Sequence, residues 1–201
     1  MKIGVFGGTF DPVHRAHIAL AEAARDALRL DKVMLVPAGH PMSRKDLPIA
    51  PADDRLAMLR LAVKGKKGLE VSDLEIDRSG PTYTVDSITQ LRKSAPAAEI
   101  YFIMGCDSLV QLPEWKDPAR LIALCRLVAV PRPGCAVDLE ILEKKIPGIS
   151  KNVIFLKEPN LDVSATVIRD RLANNETIDD IVPATVAEYI KKHHLYTGGN
   201  T

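Results

Sequence analysis

Strand-like and helix-like segments take turns about six times along the 201 residues, and this alternation limits the fold more than any other feature. "KIGVF" (2–6), "KVMLVPA" (32–38), "LEVSDLEI" (69–76), "EIYFIMG" (99–105), "RLVAVPRPG" (126–134) and "NVIFL" (152–156) are short apolar or alternating runs, and read as strands. Segments with helical spacing separate them: 14–30, 53–63, 84–94, 117–125 and 139–146, then two more at 164–175 and 183–195. In the first helix Ile18, Ala21, Ala24 and Leu28 share one side. Asp53 or Asp54 is the expected cap of the second, and Pro118 falls in the first turn of the fourth. Such a pattern predicts an α/β fold: a doubly wound, mostly parallel sheet of five or six strands with helices on both faces and a helical C-terminal segment over about 160–196. A chain of this length fits a single domain, 1–201.

Sheets of this kind bind ligands outside the carboxyl ends of their strands. The loops to inspect are therefore 7–13, 37–52, 77–83, 105–116, 131–138 and 157–163. A net charge of +1 does not suit a broad nucleic-acid surface, so any anion site must be local. No apolar run approaches the ~20 residues of a membrane helix, and "MKIGVFGG" does not read as a signal peptide. Cys106, Cys125 and Cys135 show neither CxxC nor zinc-ligand spacing, and read as reduced thiols of a cytoplasmic protein.

"GGTFDPVHRAH" (7–17) is the loop with the clearest chemistry. Gly7 and Gly8 permit a sharp turn and a close backbone approach to a ligand. Thr9 offers a hydroxyl and an N–H, and Pro12 sets the start of a helix near Val13 or His14. Amides of the loop and first helical turn would then face outward at the positive end of the helix dipole, which is an anion site. His14 and His17, at i and i+3, share one face and can donate hydrogen bonds to phosphate oxygens; protonated, they would also neutralise charge. Neither GxxxxGK[ST] nor GxGxxG occurs, which disfavours a P-loop hydrolase and a dinucleotide-binding dehydrogenase. By contrast "KGKK" (64–67), His40, His193 and His194 read as ordinary loop or helix-end residues.

These residues resemble a known family. "GGTFDPVHRAH" is similar to the GGTFDPxHxGH signature of the HxGH nucleotidyltransferases, and "VSATVIRDRL" (163–172) to their ISSTxIR motif. "RSGPTYTVDSITQLR" (78–92) resembles SYTxDTL, "FIMGCDSLVQLPEW" (102–115) resembles IxGxDSLxxLxxW, and "RPG" (132–134) and the pattern IPxxVxxYIxxxxLY over 181–196 also match. The set resembles the bacterial nicotinate-nucleotide adenylyltransferases over nearly the whole chain, and implies a Rossmann-like fold. Three positions depart: Ala16 replaces a glycine, "PAGHPMSRK" (37–45) replaces PxxxPPHK with Arg44 keeping a charge, and Lys116 follows Trp115 where relatives often carry Tyr.

The resemblance implies in-line attack of the nicotinate mononucleotide phosphate on the α-phosphorus of ATP, with pyrophosphate leaving. Positioning and charge stabilisation then do the catalysis. The implied catalytic residues are His14, His17 and Arg169. ATP would lie against Gly7, Gly8, Thr9, Phe10, Asp107, Ser164, Thr166 and Arg169; the mononucleotide against Arg44, Tyr83, Thr84, Asp107, Trp115 and Arg132. Mg²⁺ would travel with ATP, holding mostly waters and phosphate oxygens, so no dedicated protein metal site is expected. A homo-oligomer stays open, as do an acceptor such as nicotinamide mononucleotide or phosphopantetheine, and a non-catalytic nucleotide sensor.

Overall fold

A computed structural model describes residues 1–40, 49–78, 80–130, 134–157 and 163–197. Its centre is a six-stranded sheet, all parallel in its pairings, built from β1 (Lys2–Gly8), β2 (Lys32–Pro37), β3 (Leu69–Val71), β4 (Glu99–Gly105), β5 (Arg126–Val130) and β6 (Val153–Phe155). The order β3-β2-β1-β4-β5-β6 means that the chain builds outward from β1 to one edge, returns, and builds to the other. Strand order reverses between β1 and β4, and the crevice beyond their carboxyl ends is where such sheets receive ligands. The α/β, Rossmann-like, doubly wound expectation holds.

The inner strands β1, β2, β4 and β5 are covered on both faces, so their apolar runs are nearly continuous, while the edge strands β3 and β6 are more open. β4 divides its side chains between two cores: Ile100, Phe102 and Met104 face one, Tyr101 and Ile103 the other. The first core includes Ile3 and Val5 with Val85, Ile88 and Leu91 of α3 (Thr84–Ser94) and Leu121 of α5 (Pro118–Leu124). The second joins Phe6 and Leu35 to α1 (Arg15–Leu28), α2 (Ala52–Val63), α8 (Ala165–Ala173) and α9 (Ala184–Lys192). The C-terminal helices therefore close the sheet on the side that carries α1.

Several boundaries differ from expectation. β3 stops at Val71; the Ser72 amide still donates to the Leu35 carbonyl, and Ile76 then turns back onto the Asp73 carbonyl. α2 has Pro51, not an aspartate, at its cap, and Asp53 and Asp54 sit in its first turn, where the dipole favours them. α4 (Cys106–Val110), a 3₁₀ turn (Leu112–Glu114) and α7 (Ile149–Asn152) were not read as helical, being too short to show a period; α6 (Leu139–Lys145) was. The reading of three reduced thiols is corrected: Cys106 and Cys135 form a disulfide, with Cα atoms 6.2 Å apart. Adjacent strands β4 and β5 bring their following loops together, which linear spacing does not reveal. Cys125 remains a free buried thiol, and burial pushes it up to about 12.

Candidate active site

β1 delivers the chain to the crevice at Gly8. The glycines there make room for rings: a Cβ on Gly8 would lie 3.2 Å from the Phe10 ring and one on Gly7 3.3 Å from that of Phe102. Phe10 has φ +51°, so the loop reverses there before α1 starts. His14 is the N-cap of α1, and its ring stacks on that of His17 with centroids 3.6 Å apart and planes 22° apart. His17 also meets the ring of Phe10 at 4.9 Å and that of Phe6 at 5.9 Å. The spacing of three residues thus brings the two imidazoles onto one face, as expected.

The His14 amide donates to Nδ1 of His17 at 3.3 Å. A neutral His17 with Nδ1 accepting carries its proton on Nε2, which is left as a donor. Burial in the ring cluster, and then the neighbouring His14, hold the His17 pKa well below 6.5. His17 is therefore a neutral donor near pH 7 rather than the cation that protonation would make it. The depressed pKa also sets a pH dependence of stability. The unfolded chain takes up this proton as pH falls below about 6.5, the folded chain only at lower pH, so stability is present above 6.5 and lost below it. Urea midpoints should fall between pH 7.5 and 5.5, and His17→Gln should flatten that fall.

One expectation about α1 is narrowed. The Arg15 amide donates to the Ile181 carbonyl at 3.0 Å, because the segment before α9 packs onto the start of α1. With the His14 amide engaged by His17, the row of outward amides at the helix start is shorter than the sequence suggests.

α8 places the second motif against the first. Ser164 caps α8, its Oγ accepting from the Val167 amide at 3.3 Å. Arg169, at the next turn, donates from Nη1 to the Asp11 carbonyl at 2.7 Å and from Nη2 to Thr166 Oγ1 at 3.2 Å. Residues 158 apart in sequence thus meet, three residues before His14.

Sequence reading missed three side chains in this corner. Arg55 is fully buried, with Nε on the Ala50 carbonyl at 3.0 Å, Nη1 on that of Thr9 at 2.8 Å and Nη2 on that of Gly39 at 3.2 Å. It ties the loops after β1 and β2 to the start of α2. Asp11, 1% exposed, accepts on Oδ1 from the Ala50 amide at 3.0 Å and from the Tyr196 hydroxyl at 2.7 Å. The signal for Arg55 was its place one turn before Met58 and Leu59, on the buried face of α2; Tyr196 closes the C-terminal pattern over 181–196, but nothing local points to its partner 185 residues away.

Across the crevice, Tyr83 caps α3 and Thr84 opens it. Lys116 Nζ lies 4.5 Å above the Tyr83 ring and 2.9 Å from Asp86. Trp115 is partly buried and meets the Phe102 ring edge-on at 6.2 Å, so much of its contact is structural. Asp107 is exposed in the first turn of α4, beside the disulfide-bonded Cys106. Arg44 and Arg132 lie outside the described residues. His40 joins the crevice wall through its carbonyl, which accepts from the Thr82 amide at 3.3 Å. A cavity of about 290 Å³ lined by Arg92, Glu99, Leu124 and Asn152 lies at the starts of β4 and β5, the opposite end of the sheet from both motifs.

Comparison with known proteins follows the same outline. The family described as Cytidylyltransferase-like matches residues 5–171. Two proteins of Dehalococcoides mccartyi, from strains BAV1 and 195, each named "Probable nicotinate-nucleotide adenylyltransferase", are 44% and 46% identical to this chain over 198 residues, covering 98% of it and 97% of each relative. One of the same name from Thermomicrobium roseum is 43% identical over 195 residues, covering 97% and 91%. A solved Plasmodium falciparum nicotinic acid mononucleotide adenylyltransferase, complexed with NaAD, shares the fold with a TM-score of 0.80 at 22% identity, over 97% of both chains.

Proposed function

Because this chain belongs to the Cytidylyltransferase-like family, among its nicotinate-nucleotide adenylyltransferases, we propose a catalytic role for each group in the crevice. The enzyme joins ATP and nicotinate mononucleotide into nicotinate adenine dinucleotide and pyrophosphate, a step of NAD biosynthesis.

The acceptor phosphate is an anion already and needs no strong base, so the protein must align two anions and spread the charge that develops. On our reading Gly7, Gly8, Thr9 and Phe10 line the ATP α-phosphate. His17 donates from Nε2 to an oxygen that gains charge as pyrophosphate departs, and His14 keeps that ring in place by stacking and through its amide. Arg169 presents its remaining N–H groups to the β- and γ-phosphates beside Ser164 and Thr166. Asp107 serves a ribose hydroxyl. Tyr83 and Thr84 meet the nicotinate carboxylate at the start of α3, Trp115 offers a ring face, and the resemblance gives Arg44 and Arg132, outside the described residues, to binding of the mononucleotide.

A divalent ion accompanies ATP, and we take it to be Mg²⁺, which lowers the negative charge of the triphosphate. Among the described residues the corner brings together imidazole, guanidinium and the single buried carboxylate of Asp11, which fits an ion carried in on phosphate oxygens and water. We assign the chain one domain, 1–201, and place the reaction in the cytoplasm, where ATP is supplied; the disulfide withdraws the thiol argument for that location.

The observation that carries these roles is the 2.7 Å hydrogen bond from Arg169 to Asp11, which brings the two phosphate-directed motifs to one corner. Pyrophosphate release with ATP, Mg²⁺ and a panel of acceptors tests them. Nicotinate mononucleotide should be turned over, and nicotinamide mononucleotide and phosphopantetheine at least about tenfold more slowly, well within the discrimination open to a site whose polar groups the wrong ligand leaves unpaired. Equal turnover of the nicotinamide form removes the carboxylate pocket. No release with any acceptor leaves a nucleotide sensor.

A further inference from the structure

We propose that Tyr196 is a positioning residue for adenylyl transfer, acting on Arg169 through the buried carboxylate of Asp11. The proposal rests on the role given to Arg169 above and adds a residue that lies outside both phosphate-directed motifs.

Asp11 holds its two oxygens in different ways. Oδ1 accepts from the Tyr196 hydroxyl at 2.7 Å and from the Ala50 amide at 3.0 Å. Oδ2 accepts no hydrogen bond among the described residues, and lies 3.7 Å from Arg169 Nη1. Arg169 instead donates from Nη1 to the Asp11 carbonyl at 2.7 Å and from Nη2 to Thr166 at 3.2 Å. A buried carboxylate and a guanidinium so close would ordinarily close into a two-pronged pair, which would occupy the fork of donors. Tyr196 and Ala50 together hold the carboxylate turned away from that arrangement. Arg169 is thereby aimed by a neutral carbonyl and keeps N–H groups for phosphate.

Two further facts support this. Burial, and then the Asp11 carboxylate, push the Tyr196 phenol well above its ordinary value, so it stays a donor at any working pH. The fully buried Arg55 interacts favourably with Asp11, so the carboxylate does not have Arg169 as its only counter-ion.

Tyr196→Phe removes one oxygen and keeps the ring. In it Asp11 is free to rotate onto Arg169, and kcat should fall about tenfold, with the KM for nicotinate mononucleotide within about twofold of the parent, the pattern of a misaimed charge at the triphosphate. In an Arg169→Ala background the same change should alter the residual rate by less than about twofold, because the residue through which it acts is gone. Circular dichroism and Tm confirm that the variants fold. An undiminished kcat in Tyr196→Phe overturns the proposal, and so do equal fold-losses in the two backgrounds. A parent that releases no pyrophosphate overturns the functional reading and this proposal with it; an active parent with an unaffected Tyr196→Phe overturns this proposal alone.

Discussion

His17→Ala lowers the rate of pyrophosphate formation by at least about 100-fold, the scale seen when one donor to a developing charge is removed. The structure makes this residue specific. His17 is held by stacking on His14 at 3.6 Å, by the rings of Phe6 and Phe10, and by the His14 amide on Nδ1. Such a ring needs little reorganisation to present Nε2–H to phosphate. Its loss removes the acceptor for the His14 amide as well, at about 1 kcal/mol, the range for a helix cap. That corresponds to roughly 2–4 °C in Tm for a chain of this size, so a large rate loss with a small melting shift separates catalysis from folding. The measurement is initial rate at saturating ATP and nicotinate mononucleotide. A loss under about threefold would mean that the imidazole does not touch the transition state.

The largest stability effect belongs to Arg55→Met. Methionine matches much of the volume but leaves the Ala50, Thr9 and Gly39 carbonyls without the guanidinium, and Asp11 without its charge. Removing one partner of a buried ionic group costs about 3–5 kcal/mol, which at roughly 2–4 °C per kcal/mol is a Tm drop of about 6–20 °C. Activity should fall further than the folded fraction does, because Thr9 lies in the loop that we assign to the ATP α-phosphate. The double variant Asp11→Asn/Arg55→Met should recover part of the lost Tm, since it no longer buries an unbalanced carboxylate. A single variant that melts within 2 °C of the parent would show the guanidinium to be dispensable.

How much of this could be read before any coordinates depended on the range of each interaction. The strands of β4 and β1 were legible because residues such as Ile100–Met104 are buried on both faces, so their run is apolar throughout. The nearness of His14 and His17 was legible from their spacing of three residues, whereas the stack itself depends on His14 capping α1 with extended backbone. α4 and α7 were not, having too few turns to display a period. Neither was the Cys106–Cys135 bond, which depends on β5 lying beside β4. Arg169 was pointed out by resemblance, but its contact with Asp11 needed the fold. Arg55 conflicted with the apolar pattern around it, and a conflict of that kind marks a functional or strained position more often than an error. Tyr196 closes the C-terminal pattern over 181–196, but its contact with Asp11 needed the fold.

Asp11 is made within the first dozen residues, yet its partners Arg169 and Tyr196 are 158 and 185 positions further on. Domains generally fold as units. A nascent chain of this protein therefore carries the loop after β1 uncompleted until both partners have been made. Only once Tyr196 has been made can the corner that we assign to the triphosphate take its full form.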